Sequence, residues 1–124
     1  MKENATLQNL DIYREHYQKI HDYETIMMIV HDKDNNLLKS ITDTLMNELD
    51  NGFIFFINQK NDGSLNFIAK SNSSIHAGYV MKKIASFADG NGGGSPTFAQ
   101  GGTNAIIKAE DVLREVEKEI KHHE

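Results

Sequence analysis

The chain holds no cysteine, no tryptophan and a single proline, Pro96, in 124 residues. The missing cysteine excludes a disulfide scaffold, a cysteine nucleophile, thiolate zinc sites and iron–sulfur clusters in one step, and it fits a cytoplasmic protein. Long apolar runs are missing too. No run approaches the roughly 18 residues of a membrane span, and the first residues lack the apolar stretch of a signal peptide, so the expected chain is soluble and has no membrane partner. Net basic charge is also absent, with 13 Lys plus Arg against 18 Asp plus Glu. A hydrophobic fraction of 39% with 25% charged residues is nevertheless that of a folded domain rather than a disordered tail. The length allows one domain with one core.

What is present is unevenly placed. Gly90, Gly92, Gly93, Gly94, Gly101 and Gly102 are six of the nine glycines and lie within thirteen residues. Charge is divided as sharply. Residues 1–52 carry five basic and ten acidic side chains, residues 53–108 five basic and two acidic, and residues 109–124 three basic and six acidic. Only the middle is net positive. A polyanion partner is therefore compatible with the acidic total, because the field at the contact surface decides.

Leu7, Leu10, Tyr13, Tyr17 and Ile20 are spaced as one stripe of an amphipathic helix. That helix is either the end of a longer connecting helix or one packed on its own domain. The continuous run Thr25 to His31 suits a strand buried on both faces, and Asp32 to Asn36 is turn-forming. Leu37, Leu38, Ile41, Leu45, Met46 and Leu49 then mark a helix ended by Asn51 and Gly52. Phe53 to Ile57 is a second buried strand and Leu65 to Lys70 a third, with Asp62–Gly63 between them as a two-residue hairpin signal. Ser73 or Ser74 is placed to cap a helix running to about Asp89, with Ala77, Met81, Ile84, Ala85 and Ala88 on one face. Gly78 inside it suggests close approach of another backbone. Pro96 to Gln100 reads as a short extended piece, and a last helix from about Ala105 to His122 lines up Ile106, Ala109, Leu113, Val116 and Ile120. The order predicts a single small α/β domain, a mixed β-sheet of about four to five strands covered by helices. The N-terminal connecting helix takes residues 1–23 and the α/β domain residues 24–124.

The stretch from Asp89 to Ser95 is the place to look for chemistry. Glycines allow backbone N–H groups to approach a ligand and permit nests that bind anions, phosphate above all. Two known phosphate loops do not fit. A Walker loop needs a Gly-Lys pair that is absent here, and a dinucleotide fingerprint needs a strand before its glycines where this chain has a helix.

The run Gly92-Gly93-Gly94-Ser95-Pro96-Thr97-Phe98-Ala99-Gln100-Gly101-Gly102-Thr103 closely resembles the glycine motif of the C-terminal (C-Ala) domain of alanyl-tRNA synthetases. The same domain occurs in long-form alanyl-tRNA editing proteins, and beside DHH phosphodiesterases it is called the DHH-associated domain. The resemblance reaches upstream through Ala77-Gly78 and covers roughly 100 residues in the same strand, helix, hairpin and helix order. Where the synthetase pattern has arginine after the glycine triplet this chain has Ser95, and Asp89 and Asn91 replace common glycine and lysine positions. The resemblance implies a tRNA-binding accessory domain that holds the tRNA elbow, with tRNA-Ala and upstream synthetase or editing domains as partners. Asn91, Gly92, Gly93, Gly94, Ser95, Gln100, Gly101 and Gly102 would form its surface, with Lys82 and Lys83 as phosphate contacts. Binding of this kind reads backbone shape more than sequence.

Catalysis is not expected from this chain alone. His16 and His21 are five residues apart, wrong for a one-face zinc pair on a helix. Editing chemistry in the family uses zinc held in a separate domain by His and Cys, and no metal or other cofactor is expected here. Ser95 lacks His and Asp partners in its motif context. Two other functions fit the sequence. One is subunit association into a homodimer through the stripes at Leu7 to Ile20 or Ile106 to Ile120; the other is the nucleotide-binding lobe of a DHH-type phosphodiesterase.

Overall fold

The longest apolar runs become the centre of the structure, a computed structural model that describes residues 10–123. In chain order it contains α1 (Asp11–Arg14), β1 (Tyr17–Ile20), β2 (Tyr23–His31), α2 (Asn35–Met46), β3 (Gly52–Gln59), β4 (Leu65–Ser71), α3 (Ala77–Phe87), β5 (Asn91–Gly94), β6 (Phe98–Thr103) and α4 (Ala109–Lys121). The strands form one mixed sheet in the order β1-β2-β3-β4-β6-β5. β2 and β3 are parallel and joined by the α2 crossover, and the other neighbouring pairs are antiparallel.

Because β2 and β3 sit mid-sheet with helices on both faces, both of their faces are apolar. Alternation sends Met27, Phe53, Phe55 and Ile57 to the face under α3 and α4, and Ile26, Met28, Ile54 and Phe56 to the face under α1 and α2. Phe53, Phe55 and Phe56 are fully buried, each worth roughly 1.5–3 kcal/mol of transfer free energy. Asp34 caps α2 by accepting from the Leu37 N–H at 3.1 Å, and Leu38, Ile41 and Leu45 carry its buried stripe. α4 begins at Ala109 and not near Ala105, so Ile106 lies exposed before it. Its buried stripe is Ala109, Val112, Val116 and Ile120, with Val112 in place of Leu113, and Glu110 and Asp111 stand in the first turn, where the helix dipole favours acids.

The N-terminal stripe is a correction. The expected helix is one turn, α1, and Tyr17 and Ile20 belong to β1, an edge strand hairpinned onto β2; Leu7 lies outside the described residues. A strand also satisfies the pattern, since only Ile20 of β1 is buried. Leu10 and Tyr13 lie in the core of this same chain, and beside them the exposed Arg14 bonds Glu48 at 2.6 and 2.8 Å. Ile20, Val116 and Ile120 are likewise buried within the chain, whereas Tyr17 of the first stripe and Ile106 of the second are exposed. The sheet has six strands rather than four to five, because β1 and the glycine strand β5 are added. The β3–β4 turn spans Lys60 to Ser64, and Gly63 alone there has a positive φ, at 90°. It is thus longer than a two-residue turn.

α3 begins at Ala77, and its cap is not a serine. The His76 Nδ1 accepts from the Tyr79 N–H at 3.1 Å, while Ser74 bonds the Tyr23 hydroxyl at 2.7 Å. The first two helical N–H groups, of Ala77 and Gly78, donate to Pro96 O (2.9 Å) and Ser95 O (3.0 Å). Donors that a helix start leaves without partners thus fasten α3 to the turn between β5 and β6. Gly78 lies directly against the Gly94 carbonyl, where a Cβ would overlap it.

Helix propensity alone predicts that Gly78→Ala stabilises α3 by about 1 kcal/mol. Collision with a backbone carbonyl reverses the sign. Urea unfolding should show Gly78→Ala less stable than the parent by roughly 1–3 kcal/mol, with its melting temperature lowered.

Candidate nucleic-acid interface

Glycine is a poor strand former, yet residues 91–94 form β5, paired with β6 from Asn91↔Gly102 to Gly94↔Ala99. They do so because α3 lies across them. A Cβ on Gly92 would meet Met81 Cγ at 2.9 Å and Ala85 Cβ at 3.2 Å. One on Gly101 would meet Met81 Sδ at 3.0 Å. Side chains at either position would lift the helix off the hairpin. Gly92, Gly93 and Gly94 are not in the positive-φ region, so the triplet is extended strand and not the anion-binding nest that its composition suggests.

Gly93 is different: nothing lies within 4 Å of a Cβ built there. It points to the opposite face, where Gln100 is its partner on β6 and Ile68 is the partner of Gln100 on β4. That face is a shelf beyond the cover of α2. Its next row is Lys70 beside Phe98. Lys39 of α2 and Lys70 place their Nζ atoms 5.5 and 5.9 Å from the Phe98 ring centroid, a cation–π arrangement that gathers two positive charges over one aromatic ring. Asp43 pairs with Lys70 at 2.8 Å. The row on the other side is Asn66, Gly102 and Asn91.

The structure therefore divides the residues singled out in the sequence. Asn91, Gly93, Gln100 and Gly102 share the open face. Gly92, Gly94 and Gly101 turn toward α3. Ser95 closes the turn: its N–H donates to Phe98 O (2.9 Å) and its Oγ accepts from the Phe98 N–H (3.2 Å). Lys82 and Lys83 are exposed on α3, which packs Val80, Met81 and Ile84 against the covered face. They stand across the sheet from the shelf, and Lys83 bonds Glu119 at 3.1 Å. Lys39, Lys70 and the exposed side of Phe98 do not stand out in the sequence. Thirty-one positions separate the two lysines, and only the sheet joins them.

Residues 7–122 match the DHHA1 domain. The chain belongs to the DHHA1 domain family. Its relatives include the alanine–tRNA ligase of Aliarcobacter butzleri, 35% identical over 92 residues that make up 74% of this chain and 10% of that enzyme. That of Oceanobacillus iheyensis is 30% identical over 124 residues, 94% of this chain and 14% of the enzyme. The chain thus spans a small fraction of the length of the ligases it matches. The C-Ala domain from Aquifex aeolicus alanyl-tRNA synthetase superposes with a TM-score of 0.75 at 20% identity, covering 85% of this chain and 97% of that domain, so the two share a fold. Among the described residues of the DHHA1 domain no helix is long and apolar enough to cross a membrane.

The two glycine environments separate by substitution. Gly93→Ala faces open space at a compatible backbone angle, and should be neutral or stabilise by about 0.4–1 kcal/mol through the unfolded chain. Gly92→Ala should destabilise, because Met81 and Ala85 would have to shift. Thermal melts of the two variants beside the parent would check the contrast.

Proposed function

We propose that this DHHA1 domain is a noncatalytic RNA-binding accessory domain, holding the elbow of tRNA for an alanyl-tRNA synthetase or alanyl-tRNA editing protein. The observation that carries the reading is the open shelf. It is bare backbone at Gly93 beside Gln100, it is bordered by Lys39, Lys70 and Phe98, and it occurs in a chain similar to alanine–tRNA ligases. The bare backbone at Gly93 admits a ribose–phosphate ridge or a base face beside Gln100, and the lysine pair supplies the charge. Such a surface reads shape and backbone. Its few cations make affinity modest and sensitive to salt.

The two lysine pairs lie on opposite faces, so one RNA surface docks against one of them. Filter binding of a tRNA-Ala transcript at low salt, followed as salt is raised, distinguishes the faces. Lys39→Ala with Lys70→Ala should weaken binding by about tenfold and reduce the salt slope by about one for each phosphate no longer neutralised. Gly93→Glu, which places a negative charge on the shelf, should weaken it similarly. Lys82→Ala with Lys83→Ala should change it less than about twofold. The reverse pattern moves the interface to the α3 face, and no retention by the parent chain at low salt removes the proposed function.

A further inference from the structure

At the end of the shelf away from Phe98, Asn66, Gly102 and Asn91 stand in one lateral row across three strands. Directly opposed residues project to the same side of a sheet, so two amides flank a glycine across two strand spacings, about 9–10 Å. The cleft there has a volume of about 440 Å³ and continues to Asp89 and Asn104. Its walls are fixed. Thr103 Oγ1 donates to Ala88 O at 2.8 Å and accepts from the Ala105 N–H at 3.0 Å, tying together the turns before β5 and after β6. The Gly90 N–H donates to Ala85 O at 2.7 Å, and a Cβ on Gly90 would overlap the Gly102 carbonyl.

Thr103 apart, the polar side chains of this cleft are not spent on the fold. Asn51, Asn58 and Asn72 each hold backbone through their amides. Among the described residues, the amides of Asn66, Asn91 and Asn104 and the carboxylate of Asp89 have no such partner, and all four residues line the cleft. Amides both donate and accept, whereas a carboxylate only accepts. The complementary ligand is planar, lies against the Gly102 backbone, and offers two adjacent donors to Asp89 and acceptors to the amides. Among nucleobases guanine meets that description: N1–H and the N2 amino group are its paired donors, and O6 and N7 its acceptors. Adenine has no N1–H.

We infer that the cleft between Asn66, Asn91 and Asp89 is a guanine-binding site. It rests on the RNA-binding reading for the natural source of the base, an unpaired guanine of a folded RNA, while the chemistry serves a free guanine nucleotide equally. Asp89 sits at a φ of 60°, a backbone region that asparagine also adopts, so Asp89→Asn tests the carboxylate without breaking the turn.

The side-chain amide resonances of Asn66 and Asn91 in the full chain would be followed by NMR while 5′-GMP, 5′-AMP, inorganic phosphate or a tRNA-Ala transcript is added. GMP should move both saturably, at least about fivefold more tightly than AMP, the low end of what a bidentate base-edge pair discriminates. Phosphate alone should leave them in place, and Asp89→Asn should erase the preference for GMP. No saturable shift with millimolar GMP, or an equal response to AMP or phosphate, overturns the site. A chain that binds the transcript while these amides ignore GMP keeps the RNA reading and loses the guanine site. A chain that binds GMP here but no transcript keeps the site as one for free nucleotide and loses the RNA reading. Competition between GMP and the transcript assigns the base to RNA.

Discussion

Backbone-to-backbone contact between the start of α3 and the β5–β6 turn is the constraint on which the rest of this domain depends. Gly78 against Gly94 allows an approach that no side chain permits, and the N–H groups of Ala77 and Gly78 find acceptors in Pro96 and Ser95. Helix and hairpin thereby satisfy each other's polar groups. Without that helix, four residues of Asn-Gly-Gly-Gly would have little reason to stay extended. With it, the sheet continues two strands past β4, and its opposite face extends beyond the reach of α2. The shelf is therefore a by-product of how tightly its reverse side is packed. The same donors that would make the α3 N-terminus attractive to an anion are already engaged, which directs any phosphate away from that end.

An acidic chain can still offer a surface to a polyanion when its acids are held elsewhere. α4 carries Glu110, Asp111, Glu115, Glu117 and Glu119 over the other face of the sheet. Arg14 neutralises Glu48 at the far side of α2, and its guanidinium holds that carboxyl below the ordinary range. On the shelf side Asp43 faces one of two lysines, leaving Lys39 over Phe98, and Asp89 stands at the opposite end, in the cleft beside Asn66 and Asn91. Screening confines exposed charges to about 8–10 Å at physiological salt. What a docked ligand experiences is set by these near groups and hardly by the total of −5.

The central fold is legible in the sequence because its signals are redundant. The runs at β2 and β3 exceed what a half-buried strand shows, and the stripes of α2 and α4 repeat over three turns. The N-terminus misleads for the opposite reason: apolar positions three apart read as a helix turn, whereas in β1 Tyr17 and Ile20 fall on opposite faces and only Ile20 is buried. Only pairing with β2 decides. The glycine strand is legible as a motif and illegible as a strand, since propensity argues against it and the helix that overrides propensity must first be placed. For the same reason the sequence locates the candidate surface along the chain but does not orient it. Period-two alternation assigns Gly93 and Gln100 to one face and Gly92 and Gly101 to the other, and that alternation has meaning only once the segment is known to be extended.

Orientation also changes what the glycines themselves say. A glycine-rich run invites a ligand because bare backbone admits one, but here Gly78, Gly90, Gly92, Gly94, Gly101 and Gly102 all have protein atoms where a Cβ would stand. Packing accounts for each of them. Their clustering by itself therefore argues for a helix laid closely on a hairpin and carries no information about a partner. Gly93 is the exception within the motif, with open space beyond its Cα and ordinary extended backbone. The fold would accept a side chain at that point, so packing does not account for glycine there as it does at the other positions. The case for a ligand thus narrows from a stretch of thirteen residues to one position and its neighbours on the open face.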